Sequence, residues 1–176
     1  MSMKVFLTNL GKYNEGYLIG MWVKLPVPQD KLDEVMEKIG INEEYEEYFI
    51  TDFESDFTGM RDVISEYSSI VALNKLSEKI EGLSEDEQEK LDAVLECECC
   101  RSISDVLELI EELDSFDLLP DVDDDETLGC YYADECCCID IPDHIKSYFD
   151  YEAYGRDIRL DSCCTYTSFG CLLDNR

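Results

Sequence analysis

Residues 41–57, INEEYEEYFITDFESDF, set Glu43, Glu44, Glu46, Glu47, Asp52, Glu54 and Asp56 among Tyr45, Tyr48, Phe49, Phe53 and Phe57, with no Lys, Arg or His between them. Like charges at this density repel one another and oppose compaction, while the rings offer enough apolar burial to hold the backbone in place. Carboxylates fixed on a rigid scaffold can fill a groove built for phosphates, so the chemistry on offer is electrostatic recognition of a basic surface. Duplex DNA carries one charge per ~1.7 Å of axis, so a net charge of −29 corresponds to roughly 50 Å of duplex, about 15 base pairs. Acidity that serves solubility in high salt is the plain rival reading.

Further carboxylates of the same kind lie on the outward faces of the helices expected between residues 61 and 117. They are Glu85, Asp86, Glu89, Asp92, Glu108, Glu111 and Glu112. Solvated helix faces usually mix both signs for mutual support, and here the pairing cations are largely missing.

The chemistry an enzyme needs is not visible. The chain has no Walker loop, GxGxxG or HExxH. Its one histidine, His144, has no cysteine or serine motif tied to it and is expected on the surface. The ten cysteines include Cys97, Cys99 and Cys100, then Cys136, Cys137 and Cys138, then Cys163, Cys164 and Cys171. A zinc site would pair CxxC units at regular spacing, whereas these are contiguous runs, and the surrounding carboxylates oppose thiolate formation. The expectation is a non-enzyme with no cofactor and no metal, whose thiols are reduced and incidental. A small cysteine-bound metalloprotein is the alternative from another class. An acidic interaction module for some other basic DNA-binding partner is a third.

The elements that must position these groups fall into three segments of one α+β chain. Residues 1–60 read as strand, turn, strand, helix, strand: KVFLTNL, the turn GKYNEG, YLIGMWVKL ended by Pro26 and Pro28, a helix capped by Asp30 and stopped by Gly40, then YFITDFES. Residues 61–117 read as helical throughout, with one stripe of Ile70, Leu73, Leu76 and Ile80 ending at Gly82. Capping boxes at Ser84 with Glu87 and at Ser102 with Asp105 start two more helices. Residues 118–176 return to α+β. The run at 121–126 reads as a linker, Pro142 starts a helix that Gly155 closes, and strands flank a turn at Gly170.

The three segments carry net charges of −7, −12 and −10, so the acidity is no terminal tail. Nucleic acid and anionic membranes would repel such a chain, and a basic partner is favoured. Without an export signal or an apolar run of membrane length, a cytoplasmic protein is expected.

Four stretches resemble the ArdA antirestriction family: LGKYNEG (residues 10–16), GMW (20–22), EEYEEYFITDFE (43–54) and YEAYGRDI (151–158). They lie in order at both ends of the chain, and the acidic helical middle agrees in character. Residues 96–101 and 120–140 depart from the family pattern. The resemblance implies a DNA mimic carried by mobile genetic elements, which occupies the DNA-binding groove of type I restriction-modification enzymes. It further implies an elongated α+β fold of three small domains in a row and a homodimer formed through the C-terminal domain. Tyr148, Phe149 and Tyr151 are the candidate apolar anchors of that dimer.

Overall fold

A computed structural model describes residues 2–176. It is α+β, and its contacts group the chain into two compact units, Met1–Gln88 with Cys99–Ile110, and Glu89–Glu98 with Glu111–Arg176. Residues 61–117 are thereby divided between the units.

In the first unit, β1 (Met3–Asn9) lies between two antiparallel neighbours, β2 (Gly20–Leu25) and β3 (Tyr48–Ser55). Met3, Val5 and Leu7 alternate toward the core with Val23 and Leu25 opposite, as a half-buried strand requires. Between β1 and β2, where a simple turn is expected, the chain forms the short helix α1 (Leu10–Asn14), because the Asn9 side chain caps it by accepting from the Lys12 N–H at 2.9 Å. Helix α2 (Gln29–Lys38) buries Leu32 and ends at Gly40, whose φ of +80° is the left-handed stop expected of it. The expected cap Asp30 instead lies in the first turn. Pro28, extended at φ −61° and ψ 148°, takes the capping position, since the proline fixes the entry of the chain one step earlier.

Helix α3 (Ile70–Glu81) is capped by Ser69 and buries Ile70, Leu73, Leu76 and Ile80. Helix α4 (Glu85–Cys97) starts at the expected box, with the Ser84 N–H 2.8 Å from the Glu87 carboxylate. The box at Ser102 and Asp105 likewise starts α5 (Ile103–Glu111), which buries Val106 and Leu109. Residues 16–29 of this unit contain no Asp or Glu, and there the edge strand β2 and its approach expose Tyr17, Leu18 and Trp22.

The second unit holds a sheet in the order β4 (Phe116–Leu119), β6 (Gly170–Asp174), β5 (Cys164–Thr167), all antiparallel. Val122, Leu128, Cys164 and Cys171 form the core on this sheet, with Tyr131, Ile158 and Tyr166 against them. Cys164 and Cys171 are joined as a disulfide, in contrast to the reduced thiols expected. The acidic run read as a linker is instead the start of α6 (Asp125–Cys130), because Asp124 and Thr127 bond reciprocally in a capping box.

No helix begins at Pro142. A single turn at Lys146–Tyr148 precedes α7 (Tyr151–Asp161), which Asp150 caps. Gly155 lies in the middle of α7 rather than closing it, since there α7 crosses α6. A Cβ on Gly155 would overlap the Asp125 carbonyl, and one on Gly129 would overlap that of Tyr151.

Candidate functional site

The carboxylates of residues 43–47 sit on a loop whose backbone is tied at several points. The Asn42 side-chain oxygen accepts from the N–H groups of Glu44 (2.8 Å) and Tyr45 (3.1 Å), an Asx turn. The Asn42 N–H meets the Tyr45 carbonyl at 2.9 Å, and the Leu10 N–H meets that of Glu47 at 3.0 Å. The Tyr45 ring lies against α1, where a Cβ on Gly11 would overlap it. Its hydroxyl accepts from Lys12 Nζ and donates to Glu15, at 2.7 Å each. Those contacts raise the Lys12 pKa, through the Tyr45 hydroxyl first and Glu15 second, and lower that of Glu15 in turn.

The side chains of Glu43, Glu44, Glu46 and Glu47 point into solvent, and among the described residues none has an ion pair. The backbone is fixed and the charges are free. Along β3, Asp52, Glu54 and Asp56 are exposed as well, but each has a local partner. Asp52 accepts from the Phe53 N–H at 2.8 Å, Glu54 pairs with Lys4 at 2.7 Å, and Asp56 accepts from the Ser2 N–H at 2.7 Å. Of the rings expected to anchor this segment, Phe49 and Phe57 are buried, while Tyr45, Tyr48 and Phe53 are half-buried.

On the helices, Glu85, Asp86 and Glu89 are exposed in the first turns of α4, where the N-terminal end of the helix dipole favours negative charge. Glu108 and Glu111 are exposed on α5. Glu112 is exposed too, 3.6 Å from Arg176. Asp92 differs from expectation: it is 2% exposed. Leu91, Asp92, Ala93, Val94 and Leu95 are all buried, which encloses α4 around its whole circumference there and leaves no solvent face.

Among the carboxylates of residues 121–134, Asp124, Asp125 and Asp134 behave otherwise, while Asp121, Asp123 and Glu126 are exposed. Asp125 accepts from Arg159 Nε at 2.7 Å and from the Tyr166 hydroxyl at 2.8 Å, and these two donors hold its carboxyl below the usual range. Thr127 does the same for Asp124 at the cap, and Lys146 for Asp134. No sequence signal separated these paired acids from free ones, because Arg159 and Tyr166 lie more than thirty residues from Asp125.

Of the expected dimer anchors, Tyr148 is 86% exposed. Phe149 and Tyr151 are half-buried with ring centroids 4.9 Å apart, and the Tyr151 hydroxyl bonds Asp134 at 3.1 Å. His144 is exposed. Cys136, Cys137 and Cys138 are exposed, and among the described residues no three His, Cys, Asp or Glu side chains group as a metal site. Burial pushes the Cys97 thiol up, with Glu96 and Glu98 adding to it. Among the described residues no helix is long and apolar enough to cross a membrane.

Exposed carboxylates on a fixed backbone attract basic side chains. The family model for the antirestriction protein ArdA matches residues 5–172, and the chain belongs to the ArdA antirestriction family. No curated protein matches it.

Proposed function

We propose that this chain is a DNA mimic that occupies the DNA-binding groove of a type I restriction-modification enzyme, so that the DNA of an incoming mobile element escapes cleavage. The observation that carries the reading is the pinned loop with four unpaired, exposed glutamates, Glu43, Glu44, Glu46 and Glu47. On it, carboxylates stand at fixed positions, as phosphates do on a duplex. Asp52, Glu54, Asp56, Glu85, Asp86, Glu89, Glu108, Glu111 and Glu112 extend the phosphate-like set, and the buried Asp92 is outside it. The protein acts by occupancy, without catalysis and without a cofactor, in the cytoplasm where the target enzyme works.

A groove that holds many base pairs is filled by a rod rather than a sphere. The reading therefore includes three small domains in a row and a homodimer joined through the C-terminal segment, with the exposed Tyr148 as its leading anchor and Phe149 and Tyr151 behind it.

Competition decides the function. Purified protein titrated into a type I methyltransferase core bound to labelled duplex is expected to displace the DNA at near-stoichiometric amounts, and less well as salt rises. Displacement that needs large excess would refute the reading. Small-angle scattering at moderate salt decides the shape. A compact monomer gives a radius of gyration near ~16 Å and a compact dimer near ~20 Å, and the proposed assembly lies well above both.

A further inference from the structure

Lys12, Tyr45 and Glu15 close a triangle beside the acidic loop. Lys12 Nζ donates to the Tyr45 hydroxyl at 2.7 Å and to Glu15 at 3.0 Å, and the hydroxyl donates to the other Glu15 oxygen at 2.7 Å. The ammonium also lies 3.9 Å from the centroid of the Tyr45 ring, within reach of a cation–π attraction. Every polar atom of the tyrosine is thus engaged, and Lys12 pairs with Glu15 rather than with any of the four loop glutamates.

The base of the triangle is rigid. Asn9, fully buried at the end of β1, accepts from the Lys12 N–H through its side-chain oxygen. Through its side-chain nitrogen it donates to the carbonyls of Ile39 and Gly40, both at 3.1 Å. One residue therefore fixes α1 against the end of α2, where the acidic loop begins. The absent Cβ at Gly11 lets the Tyr45 ring lie on the α1 backbone.

We propose that Lys12 and Tyr45, closed by Glu15, are positioning residues: a latch that holds residues 42–47 in one conformation and keeps the only cation of α1 away from the loop glutamates. The inference rests on the reading that those glutamates meet a basic partner, and it makes a claim about sign that charge alone does not. Lys12→Met makes an acidic protein more acidic by one charge. Simple attraction to a basic groove then predicts tighter inhibition. A latch predicts weaker inhibition, because a mobile loop must be ordered on binding. Tyr45→Phe keeps the ring and the net charge and removes only the hydroxyl. The control is Lys38→Met, which removes a charge from an exposed pair with Glu34 at the end of α2.

Two measurements on the full chain test the latch, with thermal unfolding followed for each variant. Amide hydrogen exchange reads the N–H groups of Glu44, Tyr45 and Leu10, and competition against a type I methyltransferase core reads inhibition. Lys12→Met and Tyr45→Phe are each expected to speed exchange at these amides about five-fold or more, the scale of one net hydrogen bond. They are expected to weaken inhibition by a similar factor, whereas Lys38→Met inhibits as the parent does or better. Parental exchange in both variants, or Lys12→Met inhibiting better than the parent, would overturn the latch. A parent that does not compete at all refutes the mimic instead, and the exchange measurement still decides whether the latch exists.

Discussion

The loop at residues 42–47 and the run at residues 121–126 are both acidic and use their acids differently. In the loop, hydrogen bonds go to the backbone and to Tyr45, and four glutamates are left without a cation. In the run, two carboxylates are themselves bonding groups: Asp124 closes a capping box, and Asp125 binds both Arg159 and Tyr166, while Asp121, Asp123 and Glu126 are exposed. Net charge therefore counts two populations, one that holds the fold together and one that is on display.

The largest effect should come from the crossing that sets Asp125 opposite Arg159. Gly155→Ala pushes a methyl group into the Asp125 backbone carbonyl, which cannot swing aside as a flexible side chain could. Overpacking of this kind is expected to cost about 3 kcal/mol, read as a fall in the denaturation midpoint. A midpoint unchanged from the parent would mean that the two helices separate freely.

Next is the display population. Changing Glu43, Glu44, Glu46 and Glu47 together to Gln should weaken inhibition about ten-fold or more, as four contributions of about 0.4 kcal/mol combine. Single changes should do little, and stability should hold or rise as self-repulsion falls. A folded quadruple variant that inhibits like its parent would remove the loop from the contact surface.

Asp125→Asn sharpens the contrast from the other side. It is expected to lower the thermal midpoint and leave inhibition near that of the parent. The opposite pattern would make the run a contact surface as well.

The smallest effect is in pH. Arg159 and Tyr166 favour the charged form of Asp125, so its native pKa lies below the unfolded value of ~3.9. Its share of stability is whole above that value and is lost as pH falls through the lowered native one. Acid-unfolding curves of the parent and Asp125→Asn should thus differ at neutral pH, begin to approach one another near about pH 4, and meet below the lowered native value. Curves that stay parallel would assign the stabilisation to another group.

What could be read in advance follows the range of the interactions. β3 was legible to the residue, because the rings and β-branched residues of YFITDFES favour a strand within its own length, and so were the boxes at Ser84 and Ser102, which close over three residues. Gly155 was misread as a helix stop because a glycine required by a neighbouring helix leaves the same mark as one required by its own backbone. Asp92 was misread because its helical period places it outward, and only tertiary packing closes that side. Among the other acids expected outward, exposure was legible and pairing was not. Lys12 and Tyr45 are 33 residues apart, and nothing local announces their contact.

The acid-free stretch at residues 16–29 has a colloidal consequence. β2 is an edge strand that exposes its own Trp22, with Tyr17 and Leu18 on its approach, and edges of this kind invite pairing with another chain. No charge of its own guards it against a second copy, apart from Lys24. Its guard is the field of the remaining molecule, which reaches ~10 Å at 0.1 M salt and only ~3 Å at 1 M. Concentrated protein should then remain dispersed in dilute buffer and begin to self-associate in strong salt. Light scattering should follow the onset, and Trp22→Lys should delay it.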